Sequence, residues 1–160
     1  MRRVLVAGVG NIFLGDDGFG SAVVRRLWQE PLPTGVKAVD FGISAVHLAY
    51  ELLEPYDMVI LVDATSRGGK PGTLYLIEPE INPGTFDGVP VPIEPHAMTP
   101  DWALVAAQTL GNRPTRLLVV GCEPATLEEG IGLSPQVEAA VAEAVQLIRS
   151  LLEEPLAKSG

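Results

Sequence analysis

Acidic side chains recur at the points where the sequence predicts that strands end. Asp17 closes a glycine-rich stretch, Gly8 to Gly20, which follows a short apolar run. Asp40 lies near the end of a second run, and Asp63 is the last polar residue of the most apolar run. Open α/β sheets bind ligands beyond the carboxyl ends of their strands. If the strand order begins 2-1-3, the three carboxylates converge on one crevice.

An imidazole group could complete a metal or hydrolytic site with two of these acids. The chain has two histidines: His47 lies within a predicted helix, where we expect an ordinary, partly exposed residue, and His96 lies just before another helix. Asp17, Asp63 and His96 would supply three ligands and leave positions open for water or substrate. Such oxygen and nitrogen donors accept zinc, nickel, iron or manganese. The three residues come from separate loops, so their spacing does not support this interpretation.

A dinucleotide site is the competing interpretation of the glycine-rich stretch. The Gly8–Gly10 pair follows a strand, as that fingerprint requires, and Asp40 would be the ribose-binding acid. However, Phe13 stands where the third glycine belongs, and the helix begins too late. Asp16 and Asp17 would also repel a pyrophosphate. These features disfavour a nucleotide.

Nucleophilic catalysis has less support from the residue pattern. None of Ser44, Ser66 and Ser134 has a nucleophile-elbow context. Ser44 and Ser134 also stand where helix caps are expected. Cys122 ends a predicted buried strand, where a cysteine is typically a small core residue. The alternative for Cys122 is a thiol that faces the crevice.

Alternating strands and helices must position these groups. The pattern predicts a single domain over residues 1–160, with a doubly wound, mostly parallel five-stranded sheet and helices on both faces. The strand over 73–77 is expected at an antiparallel edge, because too few residues precede it for a helical crossover. We place Val46, Ala49, Tyr50 and Leu53 on the inner face of the second helix. Residues 78–95 contain five prolines and predict a functional loop. Strands are predicted over 3–7, 36–41, 57–64, 73–77 and 116–122, and helices from 19, 45, 100 and 135.

Composition excludes several classes of function. The net charge of −9 leaves no basic surface for nucleic acid. The one cysteine cannot form a disulfide within the chain, which fits a cytoplasmic location. No signal peptide is expected, and no apolar stretch reaches the roughly 18 residues needed for membrane insertion. A monomer is the simplest expectation.

Five segments, in the same order along the chain, resemble the hydrogenase maturation endopeptidases. These proteases trim the C-terminal extension from the large-subunit precursor of nickel–iron hydrogenases. The likeness covers about residues 3 to 145. The segments are Gly8–Gly20 with its Asp16-Asp17-Gly18, Asp40-Phe41-Gly42, Tyr56–Ala64 followed by Pro71-Gly72-Thr73, the lone His96 before a helix, and Gly121–Pro124 with Gly132–Val137.

The resemblance implies an aspartyl-type endopeptidase, a hydrolase whose site consists of Asp17, Asp63 and His96. In the family the first acid is Glu or Asp, and residues 78–95 show the poorest likeness. The precursor would bring the nickel, which these residues would recognise, and the free enzyme would hold no tight metal of its own. Asp40 is a candidate base or orienting group.

Two alternative functions stay open, and the first of them would use the same three residues. One is a docking or chaperone-like domain that recognises the maturing subunit without cutting it. The other is a stand-alone metal-dependent peptidase with another substrate, which would hold a metal of its own.

Overall fold

A five-stranded mixed sheet forms the centre of the molecule. The computed structural model describes residues 2–79, 81–82, 85–86, 89–90, 114 and 116–153. The strands of the sheet are β1 (Val4–Val9), β2 (Val36–Gly42), β3 (Met58–Ala64), β4 (Leu74–Ile77) and β8 (Arg116–Cys122). The helices are α1 (Phe19–Leu27), α2 (Ala45–Glu51) and α3 (Pro135–Glu153), and a 3₁₀ turn over Gly15–Gly18 precedes α1.

The sheet has the strand order 2-1-3 that the predicted crevice requires. The order is β2-β1-β3-β8-β4, so that β1 lies between the second and third strands of the chain. The four neighbouring strands β2, β1, β3 and β8 are parallel, and the edge strand β4 pairs antiparallel with β8. The predicted antiparallel edge is therefore confirmed, and the sheet is mixed rather than purely parallel. The carboxyl ends of β2, β1 and β3 lie side by side.

Two hydrophobic cores cover the two faces of the sheet. Strand residues alternate between the faces, as the two-residue repeat of a strand requires. Even-numbered strand residues pack with α1 and α3, while odd-numbered ones pack with α2. The even set is Val4, Val6, Ala38, Met58, Ile60, Val62, Leu118, Val120 and Cys122, and the odd set is Leu5, Ala7, Val9, Val59, Leu61 and Leu117.

The buried face of α2 differs from the predicted one. Ala45, Leu48 and, just beyond the helix, Leu52 are buried, whereas Val46 is 46% and Tyr50 76% exposed. Of the predicted face, Ala49 is partly buried and packs against this core. The two sets of apolar residues are offset by one position, and both have helical spacing. The period alone therefore could not choose between them. The predicted cap is confirmed, since the Ser44 hydroxyl accepts from the amide of His47 at 3.3 Å.

Short strands occur in the proline-rich segment after β4. The strands β5 (Ile81–Asn82), β6 (Thr85–Phe86) and β7 (Val89–Pro90) pair antiparallel in a small separate sheet. The helix predicted from residue 100 lies outside the described residues. Within the described part of the chain, no helix has both the length and the apolar character to cross a membrane.

Candidate active site

The loop after β1 requires glycine at its first position. Gly10 has φ +130°, a conformation that L side chains rarely adopt. A Cβ atom at Gly10 would overlap the carbonyl oxygen of Asp17. The Gly10 amide also donates to the carbonyl of Gly42 at the end of β2, at 2.9 Å. Glycine thus lets the loop fold back so that its acidic end lies beside its beginning.

Two further glycines let α1 begin directly on the sheet. A Cβ atom at Gly20 would overlap the carbonyl oxygen of Val62 in β3, and one at Gly8 would overlap the carbonyl oxygen of Gly20. The start of α1 therefore crosses the ends of β1 and β3 in backbone contact. This close crossing places the loop that carries Asp17 beside the end of β3, where Asp63 follows Val62.

Asp17 is half-buried in the 3₁₀ turn that precedes α1. One of its carboxylate oxygens, Oδ2, accepts from the amide of Asn11 at 2.7 Å. Its own amide donates to the carbonyl of Leu14 at 3.1 Å. A negative charge at this end of a helix is favourable, because the first helical amides and the helix dipole point toward it. The loop thus holds the carboxylate by one of its two oxygens.

Asp63 is half-buried near the end of β3. Its backbone lies opposite Gly121 of β8 in the parallel register. As an odd-numbered residue of the strand, it follows Val59 and Leu61 on the α2 face of the sheet. Asp63 thus lies at the carboxyl edge of β3, which is the neighbour of β1 in the sheet, and the loop after β1 carries Asp17.

Asp40 lies at the same edge but on the α1 face. It accepts a short hydrogen bond from the hydroxyl of Ser21, and its Oδ1 accepts from the amide of Gly42 at 3.0 Å. The Nε of Arg25 lies 3.9 Å from its Oδ2. The side chain therefore ties the end of β2 to α1, and its function in the reaction stays a prediction.

The histidine predicted for the site, His96, lies outside the described residues. The other histidine, His47, is exposed on α2, as expected. Within the described part of the chain, no group of three or more His, Cys, Asp or Glu side chains is placed to hold a metal ion. The predicted set of Asp17, Asp63 and His96 includes a residue beyond that part and stays a prediction.

Asp16, the neighbour of Asp17, is fully buried, and the sequence did not indicate a separate role for it. Burial by itself raises the pKa of Asp16, but hydrogen bonds from residues 125–134 outweigh it, so its pKa lies below the usual value. Consecutive residues of a 3₁₀ turn point in different directions. Of two adjacent acids in such a turn, one can therefore be buried while the other lies nearer the surface. The sequence does not indicate which of the two is buried.

Glu123 is a second buried acid that residue-by-residue reasoning missed. It directly follows β8 and is 6% exposed. Its Oε1 accepts from the hydroxyl of Tyr75 at 2.7 Å and from the amides of Arg67 and Gly69 at 2.8 and 3.0 Å. These donors hold the pKa of Glu123 below its usual value. The only sequence signal is its place just after a buried strand.

Cys122 belongs to the core and not to the crevice. The residue is fully buried among the even-numbered strand residues, and its thiol lies 3.8 Å from the carbonyl oxygen of Glu123. Burial, with the charges of Asp16 and Glu123, raises the pKa of the thiol to about 11. A thiol that stays protonated and buried is a poor nucleophile. The expectation of a small core residue is confirmed.

Two open clefts flank the loop after β1, and Ile12 contributes to both. The first, of about 280 Å³, lies between this loop and the end of β2. The second, of about 270 Å³, lies between the loop, α1 and residues 131–133. Phe13 and Ile43, which line the first cleft, are 59% and 74% exposed. The carboxyl edge of the sheet therefore offers apolar surface beside its acids.

Known proteins resemble this chain over most of its length. The family model HycI, hydrogenase maturation protease, matches residues 21–151. The hydrogenase 2 maturation protease of Escherichia coli strain K12 is 33% identical over 153 residues, which are 95% of this chain and 92% of that protein. The protein HupD of Rhodobacter capsulatus, named for hydrogenase expression and formation, is 33% identical over 93% of this chain and 72% of its own.

Solved structures share the fold. The hydrogenase maturating endopeptidase HybD from Escherichia coli superposes with a TM-score of 0.77 at 32% identity, covering 99% of this chain and 94% of that chain. A hydrogenase 2 maturation peptidase from a Thaumarchaeota archaeon gives a TM-score of 0.70 at 33% identity, covering 95% and 99%. The chain therefore belongs to the hydrogenase maturation proteases and is an endopeptidase of that family.

Proposed function

We propose that this protease removes the C-terminal extension from the precursor of a nickel–iron hydrogenase large subunit. In this proposal Asp17, Asp63 and His96 bind the nickel that the docked precursor carries. The observation that carries it is the backbone contact of Gly20 with Val62, which brings the Asp17 loop against the end of β3. The names of the relatives supply hydrogenase maturation as the process, and the resemblance described in the sequence analysis supplies the large-subunit precursor and its nickel.

Electrostatics favours a cation at this edge. Two carboxylates that share one crevice would repel each other, and a cation between them would relieve that repulsion. Carboxylate oxygens and an imidazole nitrogen are donors that nickel accepts. The nickel is part of the substrate, so its presence would distinguish a loaded precursor from an empty one. Binding it would then act as a checkpoint on cleavage.

The contacts of Asp40 favour an orienting role over that of a general base. Both of its oxygens already accept hydrogen bonds, one from Ser21 and the other from Gly42. A base must instead reach the proton of the attacking water. We therefore assign Asp40 to holding the end of β2, and with it one wall of the first cleft.

The test is cleavage of a nickel-loaded precursor and of its nickel-free form by the purified protein, followed by mass spectrometry. We expect loss of the extension from the loaded form alone. Equal cutting of both forms would overturn the recognition of nickel. Binding of the precursor without any decrease in its mass would favour the docking domain, and tight zinc in the purified protein would favour the stand-alone peptidase.

We also infer that the enzyme acts as a cytoplasmic monomer. The single cysteine, Cys122, is buried and unpaired by a disulfide, and a reducing compartment keeps thiols in that state. Light scattering on the purified protein tests the monomer, and fractionation of cells tests the compartment. A stable dimer, or activity confined to another fraction, would contradict the inference.

A further inference from the structure

The connection between β8 and α3, residues 123–134, contacts the loops next to both candidate site acids. One of these loops carries Asp17, and the other begins directly after β3 and Asp63. The connection contacts the first loop through Asp16 and the second through Glu123. A single segment of the chain thus touches both sides of the proposed site.

The Asp17 loop is bonded to this connection through side chain and backbone. The carboxylate of Asp16 accepts from the amides of Ala125, Thr126 and Ser134 at 2.8, 3.1 and 2.7 Å, and from the Ser134 hydroxyl at 2.9 Å. The backbone of Gly130 donates to Phe13 at 2.8 Å and accepts from Gly15 at 2.9 Å. The loop is therefore held within two residues of Asp17.

The loop after Asp63 is bonded to the first residue of the same connection. The backbone amide of Glu123 donates to the carbonyl of Thr73, and its carbonyl accepts from the amide of Gly72, both at 2.8 Å. Its carboxylate accepts from the two loop amides and the Tyr75 hydroxyl already described. Both ends of the loop over residues 65–73 are thus fixed, since the amide of Thr65 also donates to Cys122 at 2.9 Å.

Three polar side chains are buried in the described part of the chain. Each bonds a candidate acid or the segment next to one. They are Asp16, Ser21 and Glu123. Ser21 donates to Asp40, while Asp16 and Glu123 hold the segments next to Asp17 and Asp63. Burying a carboxylate is costly, and apolar packing often stabilises a fold as well or better. A role in stability alone does not explain why all three polar groups lie at this edge.

We propose that Asp16 and Glu123 are positioning residues, and that the connection over 123–134 sets the position of Asp17 relative to Asp63. The proposal rests on the function proposed above, in which these two acids act on the precursor. Neither buried acid touches substrate. Displacing a site group by about 1 Å costs roughly 100-fold in rate, so loosening either loop lowers turnover more than it lowers docking of the precursor.

The test compares D16N and E123Q with the wild type on the nickel-loaded precursor. Each substitution keeps the size of the side chain and removes one carboxylate acceptor. We expect kcat to fall by about 10- to 100-fold, as for other residues that orient metal ligands, with KM within about twofold. Rates are normalised to the folded fraction, which is measured by circular dichroism at the assay temperature.

The matched control is E51Q, at the opposite edge of the sheet. Glu51 also accepts from a tyrosine, the Tyr56 hydroxyl at 2.6 Å, and it pairs with Lys37 at 3.1 Å. We expect the wild-type kcat for this variant at equal folded fraction. A fall as large as that of D16N and E123Q would show a general effect of stability and overturn the positioning role.

Ser134 supplies a milder pair of variants. S134A removes the hydroxyl donor to Asp16 but leaves the amide donor, and S134T keeps the hydroxyl. We expect S134A to lower kcat by a few-fold and S134T to restore it. If D16N and E123Q do not fold, a wild-type kcat for S134A overturns the proposal. If D16N and E123Q fold and have the same kcat as the wild type, the positioning role is overturned and the proposed function stands. If the wild-type protein itself cleaves no precursor, the proposed function is overturned, and this inference with it.

Discussion

The backbone at Gly10 passes so close to the carbonyl oxygen of Asp17 that a Cβ atom between them would overlap it. We therefore expect Gly10→Ala to destabilise the protein and to abolish cleavage. The matched control is Gly132→Ala, because Gly132 has a similar φ of +110°, while a Cβ atom there would meet no atom of the described residues within 4 Å.

Urea unfolding of both variants separates the cost of the backbone conformation at positive φ from the cost of steric overlap with the Asp17 carbonyl oxygen. The left-handed conformation alone costs about 1 kcal/mol with alanine, which is the expected loss for Gly132→Ala. Gly10→Ala should lose at least twice as much free energy of unfolding. If both variants lose the same free energy of unfolding, the close approach of Gly10 to the Asp17 carbonyl oxygen adds no cost for an alanine side chain.

Replacing Asp63 by Asn should lower cleavage of the nickel-loaded precursor by at least about 100-fold, the scale on which a positioned acid or base acts. The control is Asp57→Asn at the other end of the strand, where Asp57 accepts from the amide of Arg3 at 2.7 Å. Circular dichroism checks that both variants fold. Retained activity in Asp63→Asn would remove this residue from the site.

The stability conferred by Asp16 should depend on pH in a defined direction. Its folded pKa is lowered, so its contribution is complete above the unfolded pKa of about 3.9. That contribution is lost as the pH falls through the lower, folded value. Asp16→Asn should therefore cost about 1 to 3 kcal/mol at pH 7, and the difference from the wild type should shrink below about pH 4.

Urea unfolding of the wild type and Asp16→Asn at pH 7, 5, 4 and 3 gives this difference directly. Asp57→Asn is again the control, since Asp57 lies outside the buried network around Asp16. A difference that is the same at all four values would show that the carboxylate charge of Asp16 does not contribute.

Cys122 should be unreactive and dispensable for the chemistry. Its thiol pKa of about 11 keeps it protonated at pH 8, and it is fully buried. We expect a thiol reagent to modify it at pH 8 only after unfolding. Cys122→Ala should cleave at the wild-type rate and lose about 1 kcal/mol of stability, since it removes one buried core atom. Loss of cleavage in a folded Cys122→Ala protein would restore the thiol as a candidate nucleophile.

The orientation of α2 predicts a contrast between two neighbouring positions. Leu48 is fully buried and Tyr50 is largely exposed. Leu48→Ala should cost about 2 to 5 kcal/mol, whereas Tyr50→Ala should change stability by less than about 0.5 kcal/mol. Thermal or urea unfolding of the two variants measures this. The reverse order would support the helix face predicted from the sequence.

Much of the fold could be predicted because the sheet imposes strong local patterns. Short apolar runs rich in β-branched residues, such as the first five residues of Met58–Ala64, identify buried strands. The short link before Leu74 identifies an antiparallel edge. The face of α2 could not be predicted, since two apolar rows with helical spacing compete. For such a helix, tertiary packing decides which face is buried, and the helix's own sequence does not.

Part of the candidate site could likewise be predicted from the sequence and part could not. Strand order alone puts Asp17, Asp40 and Asp63 at one edge, and the observed sheet has that order. The functions of Asp16 and Glu123 depend on partners more than 40 residues away in sequence, and no local pattern encodes such contacts. The approach of His96 remains a prediction from the family likeness.

The hydrogen bond between Asp16 and Ser134 also constrains the order of folding. It joins residues 118 positions apart, and contacts of such long sequence separation form late because closing the intervening loop costs entropy. During synthesis, the loop of Asp17 leaves the ribosome long before its anchor does. The edge of the sheet that carries the candidate acids therefore takes its final shape only when nearly the whole chain has been made.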